Sequence, residues 1–217
     1  MIIGIVGGIA SGKSTVTGIF NEYGCVSIDA DQIAHEALVE KRVREDIRAE
    51  FGAEAFDAGG RIDRKKLAGL VFGDQERLEK LNTIVHPRVQ NHIVDRVSAH
   101  RRTFEGSQFE EKQPESMAGR PPASVMILDV SLLATSPLVN ECDAILFVDA
   151  DLESRQPRCR DRGWGPDELA KREAHQATLE EKRALARWTV NNSGTLEATR
   201  KQIGGILEEI GVLTEST

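Results

Sequence analysis

Five short apolar runs punctuate the chain, at residues 2–6, 26–28, 125–128, 144–148 and, more weakly, 188–190. Runs of that length suit strands buried on both faces of a sheet, while the stretches between them space their apolar residues as helices do. Strands alternating with helices predict an α/β fold, a parallel five-stranded sheet flanked by helices, with ligands gathered at the carboxyl ends of the strands. Residues 15–20 can continue as a helix after the first run. At the far end Leu196, Ile203, Ile206, Leu207 and Ile210 lie at core-facing helical spacings.

Two intervals are too long for simple crossovers. Residues 32–102 read as an inserted lobe of several helices, with starts at Asp63, at Asp74 and at His86-Pro87. Residues 151–187 carry seven arginines and break at Gly163-Trp164-Gly165-Pro166, where a new helix can begin with proline at its first position. Thr178-Leu179-Glu180-Glu181 matches a capping box, and the whole interval reads as a helical lid. Residues 103–124 are polar, rich in Pro and Gly, and without period, as a mobile surface loop would be. The core is then expected from residues 1–31, 103–150 and 188–217, with 103–124 a loop inserted within it.

The turn between the first strand and the first helix carries the chemistry. Gly7-Gly8-Ile9-Ala10-Ser11-Gly12-Lys13-Ser14 fits G-x-x-x-x-G-K-S/T, the phosphate-binding P-loop. Glycines let the backbone wrap a triphosphate closely and aim several N–H groups at its oxygens, and the helix that follows adds its positive end. The motif assigns ATP to Gly7, Ala10, Ser11, Gly12, Lys13, Ser14 and Thr15, with Lys13 on the β/γ-phosphates and the Ser14 hydroxyl on Mg²⁺. The alternative is a glycine turn with no ligand.

Asp29 and Asp31 follow the second strand two residues apart, so an extended segment would point both carboxylates to one side. A carboxylate there can orient an acceptor hydroxyl and take its proton, or Asp31 can cap the helix that follows. Asp129 ends an apolar strand as a Walker B carboxylate does, for Mg²⁺ directly or through water; Asp149 ends another, and either can instead be a strand-end cap. Val130 stands where an ATPase would place its base, and no Asn-Lys-x-Asp guanine-reading sequence occurs. Arg155, Arg158 and Arg162 sit at i, i+3 and i+7, a row that could clamp phosphate oxygens or merely stripe a solvated face.

The 217 residues carry a net charge of −7, which argues against a broadly basic nucleic-acid surface while allowing a local cationic cluster. Cys25, Cys142 and Cys159 are scattered without C-x-x-C spacing, which suggests neither a disulfide framework nor a zinc site and fits a reducing compartment. No leader-like apolar segment precedes the first strand and no run approaches a membrane span, so a cytoplasmic protein is expected.

With the P-loop, Asp29-Ala-Asp31-Gln-Ile-Ala-His-Glu36 and His86-Pro87 in that order, the chain resembles the dephospho-coenzyme A kinase family. Leu128-Asp-Val-Ser-Leu-Leu133 is similar to the family's V-P-L-L segment, and Gln176-Ala-Thr-Leu-Glu-Glu-Lys-Arg183 and Val190-Asn-Asn-Ser-Gly-Thr-Leu-Glu197 to its lid end and penultimate loop. Nearly the whole chain is covered except residues 103–124. The resemblance implies a P-loop NTPase fold related to nucleoside monophosphate kinases, and Mg²⁺-dependent transfer of the ATP γ-phosphate to the ribose 3′-hydroxyl of dephospho-CoA. It assigns the helical lobe to the acceptor, Asp31 to the base, Lys13 and Arg158 to phosphoryl stabilisation, and Asn192 to the neighbourhood of adenine. Acceptor contacts are implied at Asp31, His86, Arg162 and Gln176. The expected partner is the small acceptor alone, with no nucleic acid or membrane, on a monomer or weak homo-oligomer. Ala10 replaces a glycine common in the family, Ser131 the proline of P-L-L, and Thr135 a frequent glutamate, while Pro157 suggests that the lid helix starts or bends there.

Overall fold

The protein is described by a computed structural model covering residues 1–105, 121–165 and 167–213. Five strands, β1 (Ile2–Gly7), β2 (Val26–Asp29), β3 (Met126–Asp129), β4 (Ala144–Asp149) and β5 (Trp188–Asn191), form one sheet in the order β2-β3-β1-β4-β5. β1 pairs in parallel with β3 and β4, and β4 in parallel with β5. The three inner strands are apolar up to their carboxyl ends, where β3 and β4 finish in Asp129 and Asp149, because both their faces are covered; the edge strand β5 alternates buried and exposed residues, as a half-covered strand must.

Helix α1 (Lys13–Glu22) and the last helix, α9 (Leu196–Glu209), share one core with the sheet: Val16, Ile19 and Phe20 from the first and Ile203, Ile206 and Leu207 from the second. Of the apolar row expected on α9, Leu196 falls outside that core and is half exposed, because it is the first residue of the helix, just after its Thr195 cap.

The described residues divide into two compact units, one of Met1–Ile28 and Val97–Thr217, the other of Asp29–Arg96. The second holds α2 (Ala30–Ala37), α3 (Lys41–Phe51), α4 (Arg64–Val71) and most of α5 (Gln75–Glu105). Its own core is built on Val43, Ile47, Phe51, Phe56 and Leu67. Asp63 caps α4 by accepting from the N–H groups of Lys65 and Lys66, and Asp74 accepts from Arg77 N at the start of α5.

No helix begins at His86-Pro87: α5 runs through it with Pro87 inside. Proline deletes only the hydrogen bond to Thr83, four residues earlier, and both residues lie on the exposed side of the helix. Pro157 is likewise inside α6 (Leu152–Asp161), which starts after an Asp151 cap and not at the proline.

The remaining helices of that interval are α7 (Glu168–Glu173) and α8 (Leu179–Ala184). α7 begins after Asp167, two residues past the expected proline start, and Pro166 itself lies outside the described residues. α8 carries the expected capping box in full, with Thr178 and Glu181 bonding reciprocally. Of the loop expected at residues 103–124, residues 106–120 lie outside the described ones; on its flanks α5 continues to Glu105 and Pro122–Ser124 form a 3₁₀ turn.

Candidate active site

The end of β1 delivers the chain into a loop whose backbone no ordinary sequence could follow. A Cβ on Gly7 would lie 2.6 Å from Val148 O and 2.8 Å from Ser11 Oγ, and one on Gly12 would lie 2.1 Å from Asn192 Nδ2. Gly12 also has φ of 92°, and Ala10, at φ of 60°, is the non-glycine residue with a left-handed backbone among the described residues.

Gly12 stands at the N-cap of α1, where no side chain caps the helix and no acidic residue occupies the first turn. The orphan N–H groups and the positive end of the helix are therefore available to an anion. Ser11 is buried with its Oγ unpartnered, a polar atom in need of a bond at the centre of the loop.

Lys13 Nζ donates to Gly8 O at 3.2 Å and Gly7 O at 3.5 Å. Burial lowers its pKa from the ordinary lysine value, Asp129 opposes that shift, and Lys182 and Arg162 add to it. Asp129, at the end of β3, receives the hydroxyl of Thr17 at 3.2 Å, and Thr17 lies one turn beyond Lys13 on α1. Asp149, at the end of β4, pairs with Arg183 at 2.6 Å. Ser14 and Thr15 are exposed at the start of α1. A cleft beside them is lined by Lys13, Ser131, Thr135, Gln176 and Lys182 among others.

The arginine row is not a solvated stripe. Arg155 is 6% exposed, reaches Ile9 O at 3.4 Å and pairs with Glu173 of α7. Arg158 Nη1 donates to Ala10 O and Ser11 O at 3.1 and 3.0 Å, and its Nη2 to Asn192 O at 2.8 Å. Ile9, Ala10, Cys159 and Leu169 pack together, so α6 and α7 rest on the P-loop itself. Arg162 is different: it follows the end of α6, is exposed, and lies over the ring of Trp164 at 5.5 Å, with Arg172 also on that ring at 4.4 Å.

Asn192 is buried, and both ends of its amide are engaged. Nδ2 donates to Ser11 O at 2.8 Å and Oδ1 accepts from Thr199 at 3.0 Å. Directly after β5, its side chain braces the P-loop.

In the helical unit, Asp29 and Asp31 do not share a strand face. Asp29 is extended and caps α2, accepting from Asp31 N at 2.8 Å and Gln32 N at 3.3 Å, while Asp31 has already entered the helix. The cap expected of Asp31 belongs to Asp29, and Asp31 is exposed. His86 is exposed on α5. Glu36 pairs with Arg96 at 2.5 Å, and Glu40 with His92 and, at 3.5 Å, with Arg88.

Sequence reasoning missed Thr17, Thr199 and Lys182. Thr17 was legible in principle as the residue one helical turn past Lys13. Lys182 lay inside Glu180-Glu181-Lys182-Arg183, a charge run that ordinarily marks a solvated face.

A parallel sheet with a P-loop at the end of β1 and an uncapped helix after it defines a P-loop kinase architecture. A crystal structure from Thermus thermophilus superposes with a TM-score of 0.70 at 33% identity, covering 97% of each chain. A dephospho-CoA kinase from Campylobacter jejuni, at 22% identity and a TM-score of 0.62 over 96% of each chain, shares the fold. The sequence model of the dephospho-CoA kinase family matches residues 1–106 and 107–198. Dephospho-CoA kinases of Fusobacterium nucleatum and Geobacillus kaustophilus are 37% and 36% identical, over 97% of this chain and 98% of the relative in the first case and 96% of each in the second. The chain belongs to the dephospho-CoA kinase family.

Proposed function

We propose that this chain transfers the γ-phosphoryl group of ATP to the ribose 3′-hydroxyl of dephospho-CoA, yielding coenzyme A and ADP, the last step of coenzyme A synthesis. Family membership supports the acceptor. The observation that carries the donor is the uncapped N-terminus of α1 behind a loop in which Gly7 and Gly12 admit no side chain and the Ser11 hydroxyl awaits a partner.

The residues fit a triphosphate. N–H groups of the loop and of the first turn of α1 bind its oxygens, and Lys13 turns its ammonium from the Gly7 and Gly8 carbonyls to the β/γ-phosphates. They also fit Mg²⁺, which typically keeps several waters and takes few protein ligands beside substrate phosphates: the Ser14 side chain is exposed at the start of α1, and Asp129 ends β3. The Ser14 hydroxyl would hold the ion, with Asp129 orienting it directly or through water. The ion supplies charge neutralisation on the phosphates.

Asp31 accepts the proton of the 3′-hydroxyl as that oxygen attacks. Arg158 holds the Ala10 and Ser11 carbonyls, so the loop keeps its N–H groups aimed forward, and residues 151–187 form the lid that keeps water from competing as acceptor. The family resemblance assigns the acceptor to the unit Asp29–Arg96, with His86 as a contact there, and gives Arg162 and Gln176 of residues 151–187 as further acceptor contacts. No helix among the described residues is long and apolar enough to cross a membrane. The reading is of a cytoplasmic enzyme that acts on small molecules as a monomer or weak homo-oligomer.

Incubation with Mg·ATP and a panel of acceptors, read by mass, tests the assignment. Phosphate gain on dephospho-CoA alone supports it; turnover of a nucleoside monophosphate or another metabolite, with dephospho-CoA untouched, overturns it.

A further inference from the structure

Two ammonium groups meet at one backbone carbonyl of the P-loop. Lys13 Nζ lies 3.5 Å from Gly7 O, and Lys182 Nζ lies 3.4 Å from the same oxygen. Lys182 is 6% exposed, and its other partner is Gln176 Oε1 at 2.7 Å. Lysine is seldom buried so fully unless its donors are used, and two like charges held this near each other repel. Burial lowers the pKa of Lys182, with Glu173 opposing the shift and Arg155 adding to it. A cation kept in this position against both costs has a task there.

The task follows from the geometry of the peptide plane. The Gly7 carbonyl and the Gly8 N–H belong to one planar trans unit, so a donor fixed on the first sets the direction of the second. Lys13 holds Gly7 O only at 3.5 Å, the limit of a hydrogen bond and longer than its 3.2 Å contact with Gly8 O, so moving its ammonium to a triphosphate gives up the Gly7 contact first. When its single ammonium turns to a triphosphate, Gly7 O loses one of two donors, and a buried carbonyl left without any would cost binding energy.

We propose that Lys182 is a positioning residue of the P-loop: it keeps the Gly7 carbonyl hydrogen-bonded while Lys13 swings to the phosphates, and Gln176 holds its ammonium in place. This rests on the nucleotide reading above and assigns Gln176 a task within the nucleotide site in addition to any contact with the acceptor. Because the role concerns an exchange between two lysines, it makes a thermodynamic demand that a structural lysine would not.

The test is a double-mutant cycle on ATP binding by the full chain, measured by equilibrium dialysis with labelled Mg·ATP. Lys182→Met keeps the apolar stem and removes a buried charge, so the fold is retained, as a melting curve verifies. In the Lys13 protein this substitution should weaken ATP binding about tenfold, the worth of one charge-assisted hydrogen bond, and raise the KM for ATP more than that for dephospho-CoA, which shifts only as far as Gln176 loses its partner. Lys182→Arg should recover binding to within about threefold, since it restores a donor. In a Lys13→Met background no ammonium leaves Gly7 O on binding, so Lys182→Met should cost less than about twofold.

Equal losses in both backgrounds would mean that Lys182 attracts phosphate directly or merely supports the fold, and would overturn the exchange. Unchanged affinity in Lys182→Met overturns it too. Failure of the unaltered protein to bind ATP is seen before any variant is compared and removes the nucleotide reading itself.

Discussion

Ala10 holds a left-handed backbone at φ of 60°, and its own carbonyl and that of Ser11 are tied down by Arg158. The loop imposes the conformation, and the side chain bears a strain of about 1 kcal/mol for it. Ala10→Gly should therefore raise stability by roughly 0.5 to 1 kcal/mol, in part offset by the freer unfolded chain, with little change in turnover; denaturant melts measure it.

A second prediction separates two neighbouring carboxylates. Asp29→Ala should cost about 1 kcal/mol of stability because Asp29 is the cap of α2, whereas Asp31→Asn should leave the melt almost unmoved and remove most turnover. Loss of stability with retained turnover in Asp31→Asn would refute its role as base.

The P-loop octapeptide was legible in the sequence because its demands are local: one backbone path, one lysine, one hydroxyl. The allocation of cap and base to Asp29 and Asp31 was not. It depended on whether the chain turns helical at residue 30 or 32, and a two-residue spacing carries no information on that.

Strands were readable to within a residue or two because β1, β3 and β4 are buried on both faces and so form unbroken apolar runs. Prolines misled. A proline at the first position of a helix and one on its wet side leave the same mark in the sequence, and Pro87 and Pro157 are of the second kind. Pro87→Ala should accordingly stabilise the helical unit, by about 1 to 3 kcal/mol as judged by melting, since it restores the bond to Thr83.

The seating of α7 depends on Glu173, which answers the buried Arg155 guanidinium. Glu173→Gln should lower stability by about 2 kcal/mol, less than the full cost of breaking a buried pair because the carboxylate is partly exposed. The arginine row on α6 could not have been assigned by charge pattern alone. What decides it is that Cys159 and Leu169 bury against Ile9 and Ala10, and that apolar contact carries Arg155 and Arg158 onto the loop.

Across the whole chain the net charge is −7, yet Lys13, Lys182, Arg155 and Arg158 are collected around one short loop. Composition reports only the sum, so the basic site was invisible in it. Stability should show the site directly: Mg·ATP at a hundredfold its Kd should add about 2.7 kcal/mol, and Lys13→Met should abolish most of that gain at the same concentration. Stability should also depend on pH through the half-buried Lys13 and the buried Lys182. Their pKa values are lowered on folding, so the unfolded chain binds more protons as pH rises toward 10.5, and the lysines' penalty on folding shrinks there. Lys182→Met lacks its share of that penalty, and its stability relative to the unaltered protein should fall between neutral pH and pH 10.

The most direct measurement is a phosphorus NMR time course with Mg·ATP and dephospho-CoA. ADP and a new ribose 3′-phosphomonoester should grow in equal amounts. ADP formed without that monoester, or a monoester at any other position, would contradict transfer to the 3′-hydroxyl.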